Sequence, residues 1–138
     1  MVPFWINGIA PPLPLARRVY AAGQMVRRAI DALPGEQRIG IIASGAISGD
    51  IGGPRSLPGG PGGPPDEAWV TYVVQCMREG KIDDLLNAAT RERLQQAGNV
   101  TGELLNWIAL LGAVGERRPC VIEPQLKGGN AYAAWRFD

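Results

Sequence analysis

Residues 38–50 read Arg-Ile-Gly-Ile-Ile-Ala-Ser-Gly-Ala-Ile-Ser-Gly-Asp, an apolar run that ends abruptly in small and hydroxylated residues. An apolar run rich in β-branched residues and flanked by glycine is typical of a strand that is buried on both faces, as in a parallel sheet. We therefore predict a central strand at residues 38–43 and a loop at residues 44–50. Open α/β sheets bind their ligands beyond the carboxyl ends of such strands, so we expect a functional site on this loop.

The residues that precede this run predict a strand and a helix. Residues 2–6 are β-prone and end at the turn signal Asn7-Gly8. Apolar residues then recur at spacings of three and four, which predicts a helix over residues 15–33. Its predicted apolar face consists of Leu15, Val19, Ala22, Val26, Ala29 and Leu33. Strand, helix and strand together predict a βαβ unit with a right-handed crossover.

The second half of the chain predicts helices and then two short strands. Helices are expected at residues 66–78, 82–88, 91–96 and 101–113, and the last is apolar nearly all round, which indicates burial in the domain or against a partner. Strands are expected at residues 120–123 and 131–137, as a hairpin around residues 127–130 or as edge strands. The predicted fold class is α/β, a single compact domain over residues 1–138 with a mainly parallel central sheet flanked by helices.

Glycine and proline dominate residues 51–65, and no regular element is expected there. The run could act as a mobile lid beside the site or could be a flexible insertion with no role in the site. We favour the insertion, because flexible loops tolerate added length at little entropic cost. The glycines do not follow a phosphate-binding pattern.

Composition excludes several classes of function. The 138 residues carry a net charge of +1, which favours neither nucleic-acid binding nor a polybasic membrane anchor. No apolar run approaches the roughly 20 residues that span a bilayer. Cys76 and Cys120 lie far apart and lack a CxxC neighbour, so we predict buried thiols in a reducing compartment and a cytoplasmic protein.

The loop, together with residues 2–7 and 13–18, resembles the C-terminal half of the class III extradiol ring-cleaving dioxygenases, the family of the protocatechuate 4,5-dioxygenase β subunit. In that family the loop reads like Ser/Thr-Gly-Gly-x-Ser-His, and its His is the acid/base residue. Gly49 occupies that position here. A second similarity lies at residues 102–107, where the family's carboxylate iron ligand falls on Glu103, a few residues before Trp107.

The resemblance also implies what the site requires. The family holds non-haem Fe(II) with two His from its N-terminal half and one Glu, which leaves positions open for substrate and oxygen. This chain contains no His. We therefore expect no metal or other cofactor in the isolated chain, with Glu103 a ligand only if a partner supplies the His. As an alternative, Glu103 is a helix-start residue favoured by the helix dipole.

Three functions follow from these observations. The first is a dioxygenase-like subunit or half-domain that neither binds iron nor cleaves catechols alone and acts in a homo- or hetero-oligomer. The second is a small metal-independent enzyme that acts on an aromatic or quinone-like substrate in the inherited pocket, and the third is a plain binding module. The candidate site comprises the catalytic residues Glu103, Ser48 and Asp50 and the substrate-binding residues Asn7, Ser44, Gly45, Ala46 and Gly49.

The predicted sheet also bears on assembly. Strands at residues 2–6 and 38–43 would keep an exposed edge or face, and such edges pair with other chains. We expect a dimer or higher oligomer, with a twofold homodimer favoured because it is the commonest closed symmetry. The alternative is a monomer whose open side is covered by residues 82–96.

Overall fold

The computed structural model describes residues 1–36, 38–53, 56 and 62–137. This part of the chain is α/β and consists of helices and a small antiparallel sheet. The helices are α1 (Ala16–Asp31), α2 (Glu67–Glu79), α3 (Ile82–Ala88), α4 (Arg91–Ala97) and α5 (Leu104–Val114). A 3-10 turn at Thr101–Glu103 leads into α5, and the strands are β1 (Val121–Gln125) and β2 (Asn130–Ala134).

Local capping explains where the helices after residue 65 begin and end. The Asp66 carboxylate accepts a hydrogen bond of 2.9 Å from the Trp69 N–H at the start of α2, and Gly80 ends that helix with a φ of 73°. The Thr90 hydroxyl accepts one of 3.1 Å from the Arg93 N–H and caps α4. The four helices predicted in this region are confirmed, with a 3-10 turn as the beginning of the last one.

Helices α1 and α5 pack with their backbones in direct contact. A Cβ on Gly23 would lie 1.9 Å from the Ala109 carbonyl oxygen, and a Cβ on Gly112 would lie 2.1 Å from that of Tyr20. The predicted helix at residues 15–33 is confirmed as α1, but its predicted apolar face is partly wrong. The buried residues are Ala16, Val19 and Gly23, whereas Leu15, Ala29 and Leu33 are exposed. The face is set by a close helix crossing, which small residues permit and large apolar side chains would prevent.

The core of the domain is built around α5. Leu104, Leu105, Ile108 and Leu111 are buried in it and belong to one cluster with apolar residues of α2, such as Val73. Of the two alternatives left open for this apolar helix, burial within the domain is therefore the observed one. Its composition does not require a partner chain.

The C-terminal strands form an antiparallel hairpin. β1 and β2 pair in the register Val121↔Ala134 to Gln125↔Asn130, and a 3-10 turn at Leu126–Gly128 with Gly129 at a φ of 67° connects them. The two predicted strands are confirmed, and of the two arrangements left open the hairpin is the observed one. The second strand ends at Ala134, before the predicted residue 137, and Asp138 lies outside the described residues.

The predicted central parallel sheet is not formed in the described part of the chain. Residues 2–6 and 38–43 belong to no strand, so the predicted βαβ unit is not formed in the described part of the chain. Ile39 and Ile42 are 41% and 95% exposed. A parallel strand that is buried on both faces needs hydrogen-bonded neighbours and cover on both sides. In the described part of the chain the two hairpin strands pair only with each other, so residues 38–43 have no such neighbour.

Three smaller predictions can be compared with the structure. Of the Gly/Pro-rich run, residues 54, 55 and 57–61 lie outside the described residues, so the lid and insertion alternatives stay open.

Cys76 is buried, as predicted, and burial raises the pKa of its thiol. Cys120 is exposed at the start of the hairpin, so that prediction is wrong. Within the described ranges, no helix is both long enough and apolar enough to cross a membrane.

Candidate functional site

Three consecutive residues of the loop are bound by side chains from one turn of helix. Because positions i, i+3 and i+4 share one helix face, residues 103, 106 and 107 all reach the loop. Three hydrogen bonds of 2.8 Å each join the Ala46 N–H to Glu103 Oε2, Asn106 Nδ2 to the Ser44 carbonyl, and Trp107 Nε1 to the Gly45 carbonyl. We call this set the loop clamp. It brings together the two segments that the sequence singled out separately.

Gly45 allows the clamp to close. A Cβ at this position would lie 2.6 Å from the Glu103 carbonyl oxygen and 2.9 Å from the Glu103 Cβ, distances that real side chains do not show. Any residue other than glycine at position 45 would therefore prevent the loop from approaching the start of α5 this closely. The Ala46 N–H holds the Glu103 carboxylate, and the Gly45 carbonyl accepts the Trp107 indole N–H.

Ser48 faces the interior of the fold. Its side chain is 2% exposed, and its hydroxyl donates a 2.7 Å hydrogen bond to the Ala97 carbonyl and accepts another of 2.7 Å from the Asp66 N–H. Its backbone N–H donates to the Gly129 carbonyl at the tip of the hairpin, over 2.9 Å. Ser48 thus joins the loop to α2, α4 and the hairpin.

Asp50 and Gly49 pack against the connection between α4 and α5. Asp50 is 3% exposed, and its Oδ1 accepts a 3.2 Å hydrogen bond from the Asn99 N–H. The Gly49 carbonyl accepts one of 3.2 Å from the Val100 N–H. A Cβ on Gly49 would lie 3.0 Å from Val100 Cγ2, so a larger residue would require only that side chain to shift.

A cavity of about 490 Å³ lies beside the clamp, between the α1–α5 pair and residues 4–9 and 41–44. Its polar lining residues are Asn7, Ser44, Glu103 and Asn106, and the other described lining residues are apolar or glycine. Among the sequence-predicted site residues, Asn7, Ser44 and Glu103 therefore meet at one cavity. Ser48, Gly49 and Asp50 are not part of its described lining.

The N-terminal segment is held at the cavity by contact between two glycines. A Cβ on Gly8 would lie 2.7 Å from the Gly102 carbonyl oxygen. The Asn7 amide oxygen accepts hydrogen bonds from the N–H groups of Ile9 and Ala10, over 3.3 and 3.1 Å. Asn7 thereby shapes the turn that follows it as well as lining the cavity.

Asn106 and Trp107 were not assigned roles from the sequence. Both lie within the segment that carries the family resemblance, at helical spacing from Glu103, and that spacing is the signal that could have found them. The backbone groups that they bind belong to residues 62 positions earlier in the chain in both cases. Local pattern alone does not reveal such partners.

Few metal-binding groups surround Glu103. The chain has no His, and the described residues contain no group of three or more His, Cys, Asp or Glu side chains that could hold a metal ion. One oxygen of Glu103 already accepts the Ala46 N–H. The described residues thus contribute one carboxylate and do not themselves form a two-His-one-carboxylate site.

Comparison with known proteins identifies the family. Residues 1–129 match the family model described as the catalytic LigB subunit of aromatic ring-opening dioxygenase. Gallate dioxygenase of Pseudomonas putida is 38% identical over 55 residues, which are 40% of this chain and 16% of that enzyme. The match therefore spans a small part of this relative's length. The resemblance read from the loop and from residues 102–107 is confirmed, and the chain belongs to the family of catalytic LigB subunits of aromatic ring-opening dioxygenases.

Proposed function

We propose that this chain is a class III extradiol dioxygenase-like subunit or half-domain that neither binds iron nor cleaves catechols alone and that acts in a homo- or hetero-oligomer. The observation that carries the proposal is the loop clamp, which holds Glu103 at the cavity in a chain without His. Glu103 is the position that matches the family's carboxylate ligand. An aromatic ring as the substrate is part of the proposal, as the family's description and the name of the gallate-acting relative suggest.

Glu103 is arranged to contribute one ligand to a shared site. Its Oε2 is fixed by the Ala46 N–H, while its Oε1 has no hydrogen-bond partner among the described residues. A hydrogen bond to one carboxylate oxygen orients the other, as occurs around metal ligands in general. A partner that carries two His would complete the ligand set.

The exposed extended segment supports assembly with another chain. Residues 39–43 make no backbone hydrogen bond within the described structure, and Ile42 is almost fully exposed. Unpaired backbone next to exposed apolar side chains is a template for strand pairing. We propose that this segment becomes a strand of a mainly parallel sheet when a partner binds, either a second copy or a different subunit.

Metal analysis tests this proposal directly. The purified chain should contain far less than one iron per molecule after incubation with Fe(II), and addition of a partner that carries the two His but lacks a carboxylate ligand of its own should raise binding to stoichiometric levels. Glu103→Ala should abolish that gain, whereas Glu123→Gln, on the exposed face of β1, should leave it unchanged. Stoichiometric iron bound at micromolar or tighter affinity by the isolated chain would contradict the proposal.

A metal-independent enzyme that acts on an aromatic or quinone-like substrate is the second candidate. The cavity favours it, since polar side chains meet apolar walls there. Of the three residues assigned catalytic roles from the sequence, Glu103 alone belongs to the described lining, so general acid/base work in this candidate rests on Glu103. Turnover of phenolic substrates in the presence of a strong chelator, lost in Glu103→Gln, would establish it.

A further inference from the structure

A second concave surface lies at the C-terminal ends of α1 and α5. It has a volume of about 320 Å³, and its lining includes Arg27, Arg28 and Asp31 of α1, Arg117, and glycine and apolar residues from the end of α5. We call it the arginine cleft. Ala113 is the one described lining residue that it shares with the cavity beside Glu103. The cleft is therefore a separate place on the molecule.

Positive charge exceeds negative charge in the cleft. The ionisable side chains of its described lining are three guanidinium groups and one carboxylate, which leaves a surplus of two positive charges. Both oxygens of that carboxylate, Asp31, accept hydrogen bonds from Arg27 Nε, over 2.8 and 2.9 Å. Arg28 and Arg117 have no carboxylate partner among the described residues.

The guanidinium groups of Arg28 and Arg117 retain donors for a ligand. Within the described ranges the Arg28 side chain makes no hydrogen bond or ion pair. The Arg117 guanidinium makes one hydrogen bond there, from Nη1 to the Val114 carbonyl over 3.3 Å. Because a guanidinium carries five N–H donors in a planar fork, most of the donors at this cleft are available to an acceptor from outside the chain.

The Phe137 ring brings two of the guanidinium groups together. The Cζ atoms of Arg27 and Arg117 lie 4.8 and 5.0 Å from the centroid of this ring. The two groups are therefore within about 10 Å of each other, which is the screening length at ordinary ionic strength, so their charges repel. The aromatic face attracts each cation, but it carries no charge that would neutralise the pair.

Stabilisation of helix ends explains only part of this arrangement. A basic side chain near a helix C-terminus interacts favourably with the helix dipole, and Arg28 lies in the last turn of α1. That interaction does not require Arg117 to share an aromatic ring with Arg27. A bound anion would account for the whole cluster, because it would offset the repulsion and use the available donors.

A phosphate group fits the charge and the donors of the cleft. Arginine forks match the geometry of phosphate oxygens, and a phosphate ester carries about −1.5 to −2 charges at pH 7, which balances the surplus. The volume of about 320 Å³ is roughly ten times the ~30 Å³ that one water occupies in the liquid, so a small organic body also fits. We propose that the arginine cleft binds the phosphate group of a small molecule. This inference is independent of the proposed function, since Glu103 takes no part in it.

Calorimetric titration of the whole chain tests the inference. The probes are inorganic phosphate and glycerol phosphate, in a phosphate-free buffer at pH 7 with the ionic strength held constant by KCl. We expect one saturable site per chain with a Kd of about 1 mM or lower, equivalent to a binding free energy readily measured by titration. Tighter binding of the ester would support a phosphorylated metabolite as the ligand, and equal binding would support free phosphate.

Three variants locate the site. Arg28→Gln and Arg117→Gln each remove one exposed guanidinium from the cleft and should raise the Kd by about tenfold or more, as expected for the loss of a charge-assisted hydrogen bond. Arg18→Gln is the matched control, because it removes an exposed arginine of the same helix that lies outside the described lining. It should change the Kd by less than about twofold, as a distant screened charge does. Circular dichroism checks that all three variants fold.

Thermal unfolding provides a second measurement. A ligand that binds the folded chain stabilises it, so phosphate should raise the Tm above its value in KCl of equal ionic strength, and Arg28→Gln should remove most of this increase. Absence of saturable binding of both probes to the wild-type chain would overturn the inference and leave the arginines as partners of the helix ends. An unchanged Kd in both cleft variants, or an equal loss of affinity in Arg18→Gln, would also overturn it.

Discussion

Two regions of the described structure differ in how far their apolar side chains are buried. From residue 62 to residue 137, the helices and hairpin bury most of their apolar side chains against one another, with α5 at the centre. Residues 1–9 and 38–44 belong to no helix or strand, and Trp5 and Ile42 are largely exposed. The difference shows that apolar sequence is sufficient for burial only where the same chain supplies the opposing surface. It also identifies the N-terminal segments as the region where a partner would have the largest effect.

The largest expected effect comes from filling the contact between α1 and α5. Gly112→Leu should lower the free energy of unfolding by about 3 kcal/mol or more, because its side chain must displace the backbone at Tyr20. Urea denaturation followed by circular dichroism measures the change. Gly40→Leu is the matched control in the extended segment, where a Cβ would meet no atom within 4 Å, and it should change stability by less than about 0.5 kcal/mol. Equal costs at the two positions would refute the comparison.

A smaller effect is expected at the buried hydroxyl of the loop. Ser48→Ala removes the donor to the Ala97 carbonyl and the acceptor of the Asp66 N–H, and a buried group left unsatisfied costs about 1–3 kcal/mol. Ser44→Ala, at an exposed position of the same loop, should cost less than about 0.5 kcal/mol. Thermal unfolding of both variants gives the comparison, and a neutral Ser48→Ala would show that the hydroxyl does not hold the loop.

The smallest effect on stability is expected at Ile42. Ile42→Lys should change the free energy of unfolding of the monomer by less than about 0.5 kcal/mol, because the side chain is exposed. The same change should weaken self-association, since lysine on an exposed edge opposes strand pairing. Sedimentation equilibrium at low micromolar concentration measures it. A wild-type chain that sediments as a single species of 14.7 kDa would contradict the homodimer expected from the sequence and would leave a different subunit as the partner.

The sequence predicted the part of the fold that depends on local chemistry. Asp66, Thr90 and Gly80 mark helix ends because their side chains or backbone conformations satisfy groups within a few residues. The hairpin follows from two β-prone runs joined by a glycine-containing turn. The loop at residues 44–50 was selected by its position after an apolar run and Glu103 by the family resemblance, and the structure brings residues 44–46 of the loop together with Glu103 and its helix.

The tertiary structure decided which residues meet over long separations. The buried face of α1 depends on Gly23 lying against α5, and the division of the loop into cavity residues and interior residues depends on contacts with Gly129, Ala97 and Asp66. Whether residues 38–43 form a buried strand depends on the presence of neighbouring strands. An apolar run favours burial, but other parts of the structure must supply the surface that buries it. The sequence alone therefore determined the helices, the two short strands and the family. Packing determined the clamp, the cavity and the exposed segment.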